Sequence, residues 1–275
     1  MKKSDKMTMN EFFNWQRHPF TDTHTIKEPY LCPKDLRIRD RAISLLQCGK
    51  SFAITGPSGA GKSTLLQHIL ASLDGTRFTS VLLHYGGLQR SGILRAIADL
   101  LGVESGGRAI PLLVKLQKHI SHMAAENNAP YPVFVIDDAQ LMERESLMDL
   151  CSLLVNPATK TAAASLVLAG DENLARNLNL HIMESIRTRL TCIFGIDPLN
   201  VDESQAFIAS RLETAGAPDN LLERDAMEIV ASHCRGNRRQ IMNVGTLLLD
   251  EAFYRKEKTI GSQLVLSCDL MDIST

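Results

Sequence analysis

The 275-residue sequence predicts an α/β fold, a five-stranded parallel sheet flanked by helices, followed by a small all-α domain. Three observations carry that expectation. Apolar strand-like runs alternate with helical patterns from residue 51 to residue 197, and only helical patterns follow Asp197-Pro198. Between the first run and the first helix, residues 56–64 read Gly-Pro-Ser-Gly-Ala-Gly-Lys-Ser-Thr.

The strands are expected at 51–55, 80–85 (Ser-Val-Leu-Leu-His-Tyr), 132–137 (Pro-Val-Phe-Val-Ile-Asp), 165–170 (Ser-Leu-Val-Leu-Ala-Gly) and 191–196 (Thr-Cys-Ile-Phe-Gly-Ile). The apolar run of the third strand is that of a strand at the sheet centre, covered on both faces. The first helix follows the loop from Ser63 to about Leu73, with Leu65, Leu66, Ile69, Leu70 and Leu73 at helical spacing. Further helices are expected near 90–101, 111–126, 143–155 and 172–180. Beyond Pro198, Asn200 and Glu203 form a capping-box pattern for a helix running to Ala215 and closed by Gly216 and Pro218. Helices at 222–234 and 238–255 and a short one after Thr259 complete the chain. The division expected is an N-terminal arm (1–45), an α/β nucleotide-binding domain (46–198) and a helical lid (199–275).

Composition sets outer bounds. A hydrophobic fraction of 44% supplies an ordinary buried core, and a net charge of -1 gives no chain-wide field for nucleic acid or anionic lipid. Contact with either would need a local basic patch. The six cysteines show no C-x-x-C pair, so small buried thiols in a reducing compartment are expected. The polar amino terminus does not read as a signal peptide, and no run approaches the ~20 apolar residues of a membrane helix. A cytoplasmic protein without membrane contact is expected. The eight histidines show no metal-ligand grouping, and Phe12, Phe13, Trp15 and Phe20 read either as a partner-docking cluster or as residues packed on their own core.

The chemistry begins at residues 56–64, which match the G-x-x-x-x-G-K-[ST] phosphate-binding loop. Gly56, Gly59 and Gly61 let the backbone curl so that its amides face the phosphates, with Pro57, Ser58 and Ala60 filling the turn. Lys62 reaches the terminal phosphates, Ser63 places a hydroxyl on magnesium, and Thr64 continues into the helix whose positive end faces the anion. ATP and Mg2+ are therefore the expected ligands. The third strand ends in Val133-Phe134-Val135-Ile136-Asp137-Asp138, a Walker B pattern. Asp137 is the expected magnesium ligand and Asp138 the group that polarises the attacking water; a solvated strand end is the alternative.

Asp137-Asp138-Ala139-Gln140 resembles the D-E-A-Q or D-D-A-H element of AAA+ ATPases related to general secretion pathway protein A. Phe12-Phe13-Asn14-Trp15-Gln16-Arg17-His18-Pro19-Phe20 is similar to that family's F-F-x-x-x-x-x-P-F segment. Residues 94–102 are similar to its helix after the second strand, and Gly236-Asn237-Arg238-Arg239-Gln240-Ile241 to its G-x-P-R-x-I element. The resemblance spans roughly residues 10–270 and implies a P-loop NTPase of the AAA+ type.

It also implies roles. Asp171 falls at the sensor 1 position, Arg189 at the arginine finger that reaches a neighbouring subunit's γ-phosphate, and Arg239 at the sensor 2 arginine of the lid. Arg187 rivals Arg189, and Arg235, Arg238 and Arg239 read alternatively as a basic patch. Two departures stand out: Asp138 replaces the glutamate of many members, and Arg238 replaces the proline of the lid element. The first points to slow hydrolysis and the second to a shifted sensor 2.

A finger acting in trans implies self-assembly into a ring or helical filament. The chain ends after the lid pattern, without the membrane segment and cell-wall-binding domain of full-length secretion-type relatives. A stand-alone module of this kind resembles the DNA-transposition helper ATPases of the TniB, IstB and MuB types, which implies double-stranded DNA and a transposase or other recombination protein as partners. Arg90, Arg95, Lys115, Lys118 and the Arg235, Arg238, Arg239 group are the candidate phosphate contacts. A secretion or envelope-assembly ATPase and a nucleotide-gated scaffold that scarcely hydrolyses ATP are the alternatives.

Overall fold

The structure, a computed structural model, describes residues 7–21, 29–84, 87, 89–106, 110–126 and 129–268. Tyr85, the last residue of the second expected strand, lies outside them, as do residues 269–275 of the expected lid. In chain order the elements are α1 (Met9–Phe13), α2 (Pro33–Gln47), β1 (Ser51–Thr55), α3 (Lys62–Ala71), β2 (Phe78–His84), α4 (Arg90–Leu100), α5 (Leu112–Ala125) and β3 (Tyr131–Asp137). A 3-10 turn (Ala139–Leu141) leads to α6 (Arg144–Leu153), β4 (Ser165–Gly170) and α7 (Glu172–Leu178). A second 3-10 turn (His181–Met183) precedes α8 (Glu184–Arg187), β5 (Leu190–Gly195), α9 (Val201–Thr214), α10 (Arg224–His233), α11 (Arg238–Arg255) and α12 (Ser262–Ser267).

The chain forms two compact units, one of Pro33–Pro57 with Lys62–Ile196, the other of Met1–Cys32 and Asp197–Thr275 together with the loop tip Ser58–Gly61. In the first, the five strands make one parallel sheet in the order β2-β3-β4-β1-β5. Every residue of β1 and β4 is buried, as is β3 after Tyr131, because helices cover both faces. The edge strands β2 and β5 mix buried, half-buried and exposed positions. Ile97, Leu116, Ile120, Phe134, Leu147 and Leu168 form the centre of the core.

Strand β2 starts earlier than its sequence pattern suggested, because Phe78 pairs in register with Tyr131 and their rings meet edge-on at 6.2 Å. Helix α2 was not expected at all. Its charged run Lys34, Asp35, Arg37, Arg39, Asp40 and Arg41 masks a narrow apolar stripe whose Ala42 and Leu46 are fully buried, and Pro33 opens it at a position where no amide partner is needed. Helix α8 and the two 3-10 turns were likewise too short to show a periodicity.

In the second unit the described residues 7–21 and 29–32 contribute to one core with α9 to α12. Phe13, Trp15 and Phe20 are buried there, with Phe13 stacked on Trp15 at 4.7 Å, and core packing is thus the role of the N-terminal aromatics. Polar bonds fasten the same segment: Arg211 donates to the carbonyls of Pro19 (2.8 Å) and Thr21 (2.7 Å), and Arg17 to that of Thr214 (2.8 Å). A Cβ on Gly245 would come within 2.5 Å of the Phe20 ring, so only glycine lets α11 approach this closely. The capping box at the start of α9 is present, Glu203 N donating to Asn200 Oδ1 at 2.8 Å and Asn200 N to Glu203 Oε2 at 2.9 Å.

None of the six cysteines forms a disulfide. Burial pushes the Cys151 thiol up to about 11, against the opposing charge of Arg189, and the Cys234 thiol up to about 12. Both are small apolar core groups at neutral pH.

Candidate nucleotide site

Parallel pairing brings the carboxyl ends of β1, β3 and β4 to one edge of the sheet, with Thr55 beside Gly170 and Ile136 beside Leu168. In an open α/β sheet this edge is where ligands bind. The phosphate loop leaves β1 there, and α3 begins at Lys62 itself. Lys62 Nζ donates to the carbonyls of Gly56 (2.8 Å) and Pro57 (2.9 Å), holding its charge against the inner rim of the loop.

Ser63 Oγ, in the first turn of α3, donates to Asp137 Oδ2 at 2.8 Å. The other oxygen of Asp137 accepts the backbone N–H of Asp138 at 3.0 Å, which restrains the carboxylate at the strand end. One hydroxyl and one carboxylate make a hard-oxygen donor set, and Mg2+ is held by one or two such groups plus water and phosphate oxygens. These residues therefore fit magnesium. Among the described residues no cluster of three or more His, Cys, Asp or Glu side chains offers an all-protein metal cage.

Asp138 adopts a left-handed backbone (φ 56°) as β3 gives way to the 3-10 turn. Its carboxylate meets two side chains, one at each oxygen. Gln140 Nε2 donates to Asp138 Oδ1 at 3.2 Å, and His84 Nε2 lies 3.4 Å from Asp138 Oδ2, with His84 Nδ1 3.7 Å from Asp137 Oδ2. His84 reaches both acids because β2 and β3 pair His84 with Asp137. Gln140 Oε1 accepts the backbone N–H of Asp171 at 3.2 Å. The Asp171 carboxylate itself caps α7, accepting from Asn173 N (2.8 Å) and Asn173 Nδ2 (3.0 Å). Motif membership alone singles out Gln140 in the sequence and nothing singles out His84; the register and the turn are what assemble them.

In the second unit, three consecutive residues at the start of α11 hold the loop tip. Asn237 Nδ2 donates to Ser58 O at 2.8 Å, Arg238 Nη1 to Ala60 O, and Arg239 Nη1 to Ser58 Oγ at 2.9 Å. Gly59 and Gly61 have φ of 79° and 97°, and a Cβ on Gly61 would lie 3.0 Å from Arg238 Cδ. Glycine is needed here both for the backbone angle and for the approach of Arg238. Arg238 is only 8% exposed, which removes it from the candidate DNA contacts. Arg90 is also committed, gripping the buried Asp149 carboxylate with two bonds of 2.5 and 2.6 Å. Lys115 bonds the carbonyls of Glu104 and Gly106, while Arg95, Lys118 and Arg235 are exposed. Arg187 and Arg189, at the end of α8, are exposed as well, and Thr64 faces outward from α3.

A five-stranded parallel sheet in this order, with a phosphate loop after β1 and paired acids after β3, is the fold of a P-loop NTPase of the AAA+ class. Residues 47–178 match the family model described as an AAA domain. The chain is 24% identical over 265 residues to general secretion pathway protein A of Aeromonas hydrophila, covering 94% of this chain and 47% of that protein. It thus spans about half the length of that curated relative. Among solved structures it is similar to the Aeropyrum pernix ORC2 protein in its ADPNP–ADP complexes (TM-score 0.70, 16% identity, 91% of this chain and 70% of that one). It is also similar to the Aeropyrum pernix ORC1 protein in complex with DNA (TM-score 0.69, 15% identity, 90% and 67%). Among the described residues no helix is long and apolar enough to cross a membrane.

Proposed function

We propose that this chain is an ATP-binding, magnesium-dependent ATPase that assembles with copies of itself into a ring or helical filament on double-stranded DNA, acting in the cytoplasm as a transposition helper that recruits or activates a transposase or other recombination protein. The observation that carries the ATPase reading is the Ser63–Asp137 pair beside the loop lysine, with Asp138 next in the chain. The loop N–H groups, which Pro57 lacks, and Lys62 would bind the phosphates; Ser63 and Asp137 would hold magnesium, which would neutralise charge on the transferring phosphoryl group. Asp138 orients and deprotonates the attacking water. Its Oδ1 is held by Gln140, which leaves Oδ2, on the His84 side, for that task. Arg239 and Asn237 tie the loop tip to α11, supporting a lid that responds to nucleotide, and Arg189 from a neighbouring copy supplies the finger.

Support for DNA comes from the likeness to a protein solved in complex with DNA, together with the exposed cations Arg95, Lys118 and Arg235. A second reading, a secretion or envelope-assembly ATPase, is favoured by the match to general secretion pathway protein A over 94% of this chain. Phosphate release measured with and without double-stranded DNA separates them. Stimulation by DNA that fades with added salt supports the first reading, and absence of DNA binding at low salt eliminates it. Binding of ATP with no turnover under either condition would leave a nucleotide-gated scaffold.

A further inference from the structure

We infer that Gln140 is a positioning residue for hydrolysis, fixing the rotamer of Asp138 from an anchor on the backbone of Asp171, just after β4; this rests on the ATPase reading above. Two hydrogen bonds fix the orientation of the Gln140 amide. The backbone N–H of Asp171 can only donate, so the Gln140 oxygen, 3.2 Å away, must face it. The amide is then locked, and its NH2 group is the end presented to Asp138 Oδ1 at 3.2 Å. A flipped amide would set donor against donor at Asp171 and acceptor against carboxylate at Asp138. The backbone just after β4 thereby sets which end of the Gln140 amide meets Asp138.

The packing around Gln140 has the same consequence. A Cβ on Gly170 would stand 2.6 Å from Gln140 Oε1 and 2.8 Å from Leu174 Cδ2, so β4 ends in the one residue that admits the glutamine side chain. The left-handed turn at Asp138 places Gln140 two residues further on, pointing back over the strand ends. Asp138 is one methylene shorter than glutamate, and a short carboxylate reaches a water only from a narrow range of side-chain angles. Holding Oδ1 restricts that range and turns Oδ2 outward. Asp171 enters this arrangement through its backbone, while its carboxylate stays with α7.

The test is single-turnover hydrolysis by the full chain, with nucleotide affinity measured in parallel by a fluorescent ATP analogue. Gln140→Glu keeps the acceptor for Asp171 and the shape, so folding is retained, yet it sets a carboxylate against Asp138; Gln140→Ala removes both bonds. Both variants are expected to lower the rate about 10- to 100-fold, as loss of an orienting partner does elsewhere, with affinity within roughly twofold. In an Asp138→Ala background the same changes should have no further effect, because the group they orient is gone. Unchanged rates, an equal loss in the Asp138→Ala background, or a loss confined to affinity would each overturn the role of Gln140. Wild-type protein that binds the analogue but gives no turnover would overturn the ATPase reading itself, and the Gln140 role with it.

Discussion

Ser63 Oγ donates to Asp137 Oδ2 at 2.8 Å, joining the first turn of α3 to the last residue of β3 across 74 positions of sequence. The bond sets the two oxygens that suit magnesium side by side. Asp137→Asn keeps the shape and removes the charge, so magnesium should no longer strengthen nucleotide binding, with affinity in its presence falling about 10- to 100-fold. Titration of a fluorescent ATP analogue with and without Mg2+ checks this. Lys62→Ala is expected to abolish binding under both conditions, and an undiminished magnesium effect in Asp137→Asn would remove Asp137 from the metal site.

Arg187 and Arg189 are both exposed at the end of α8, two residues apart. If Arg189 is the finger, Arg189→Ala retains nucleotide binding and lowers turnover of the assembled protein by roughly 10³-fold, whereas Arg187→Ala leaves turnover near wild type. The measurement is phosphate release as a function of protein concentration. The reverse pattern would transfer the role to Arg187, and equal turnover in both variants would end the finger assignment for this helix.

His18 couples the N-terminal segment to pH. Partial burial lowers its pKa below the ordinary 6.5, Arg211 adds to the lowering, and Asp250 opposes it; Nδ1 also accepts the Phe20 N–H at 3.2 Å, which requires that nitrogen unprotonated. The folded state therefore binds the proton less readily than the unfolded chain. Stability from this group is complete above pH 6.5 and declines as the pH falls through the window below it. Urea midpoints at pH 7.5 and 5.5 should differ more for wild type than for His18→Gln; an identical pH dependence would count against this role.

Phe13 is 3% exposed and stacked on Trp15 in the core shared by the N-terminal segment and α9 to α12. Phe13→Ala should cost about 3–5 kcal/mol, since that core cannot refill the space of a ring. Urea unfolding followed by Trp15 fluorescence reports it directly. A loss below about 1 kcal/mol would mean that the segment is not part of the core.

The three central strands and the phosphate loop were legible in the sequence because each is a local property: continuous apolar runs for strands buried on both faces, and glycine spacing for a loop that must turn its amides inward. The Asn200–Glu203 capping box was legible for the same reason, its partners being three residues apart. Helix α2 was not, because its stripe of buried residues is narrow and its charged face dominates the composition. The choice between docking cluster and core for Phe13, Trp15 and Phe20 also lay beyond it, since burial depends on residues about 190–230 positions away, such as Arg211 and Thr246.

Sequence alone thus determined the class of chemistry, through the loop at Gly56–Thr64 and the acids Asp137 and Asp138. Tertiary structure decided which side chains serve those acids. Parallel register set His84 beside Asp137, the left-handed turn at Asp138 sent Gln140 back to bridge Asp138 and Asp171, and the packing of α11 buried Arg238 against Ala60. The physical reason is that hydrogen bonds and burial act over a few ångströms of space. Partners distant in sequence, or brought together by a single backbone turn, leave no periodic trace in the chain.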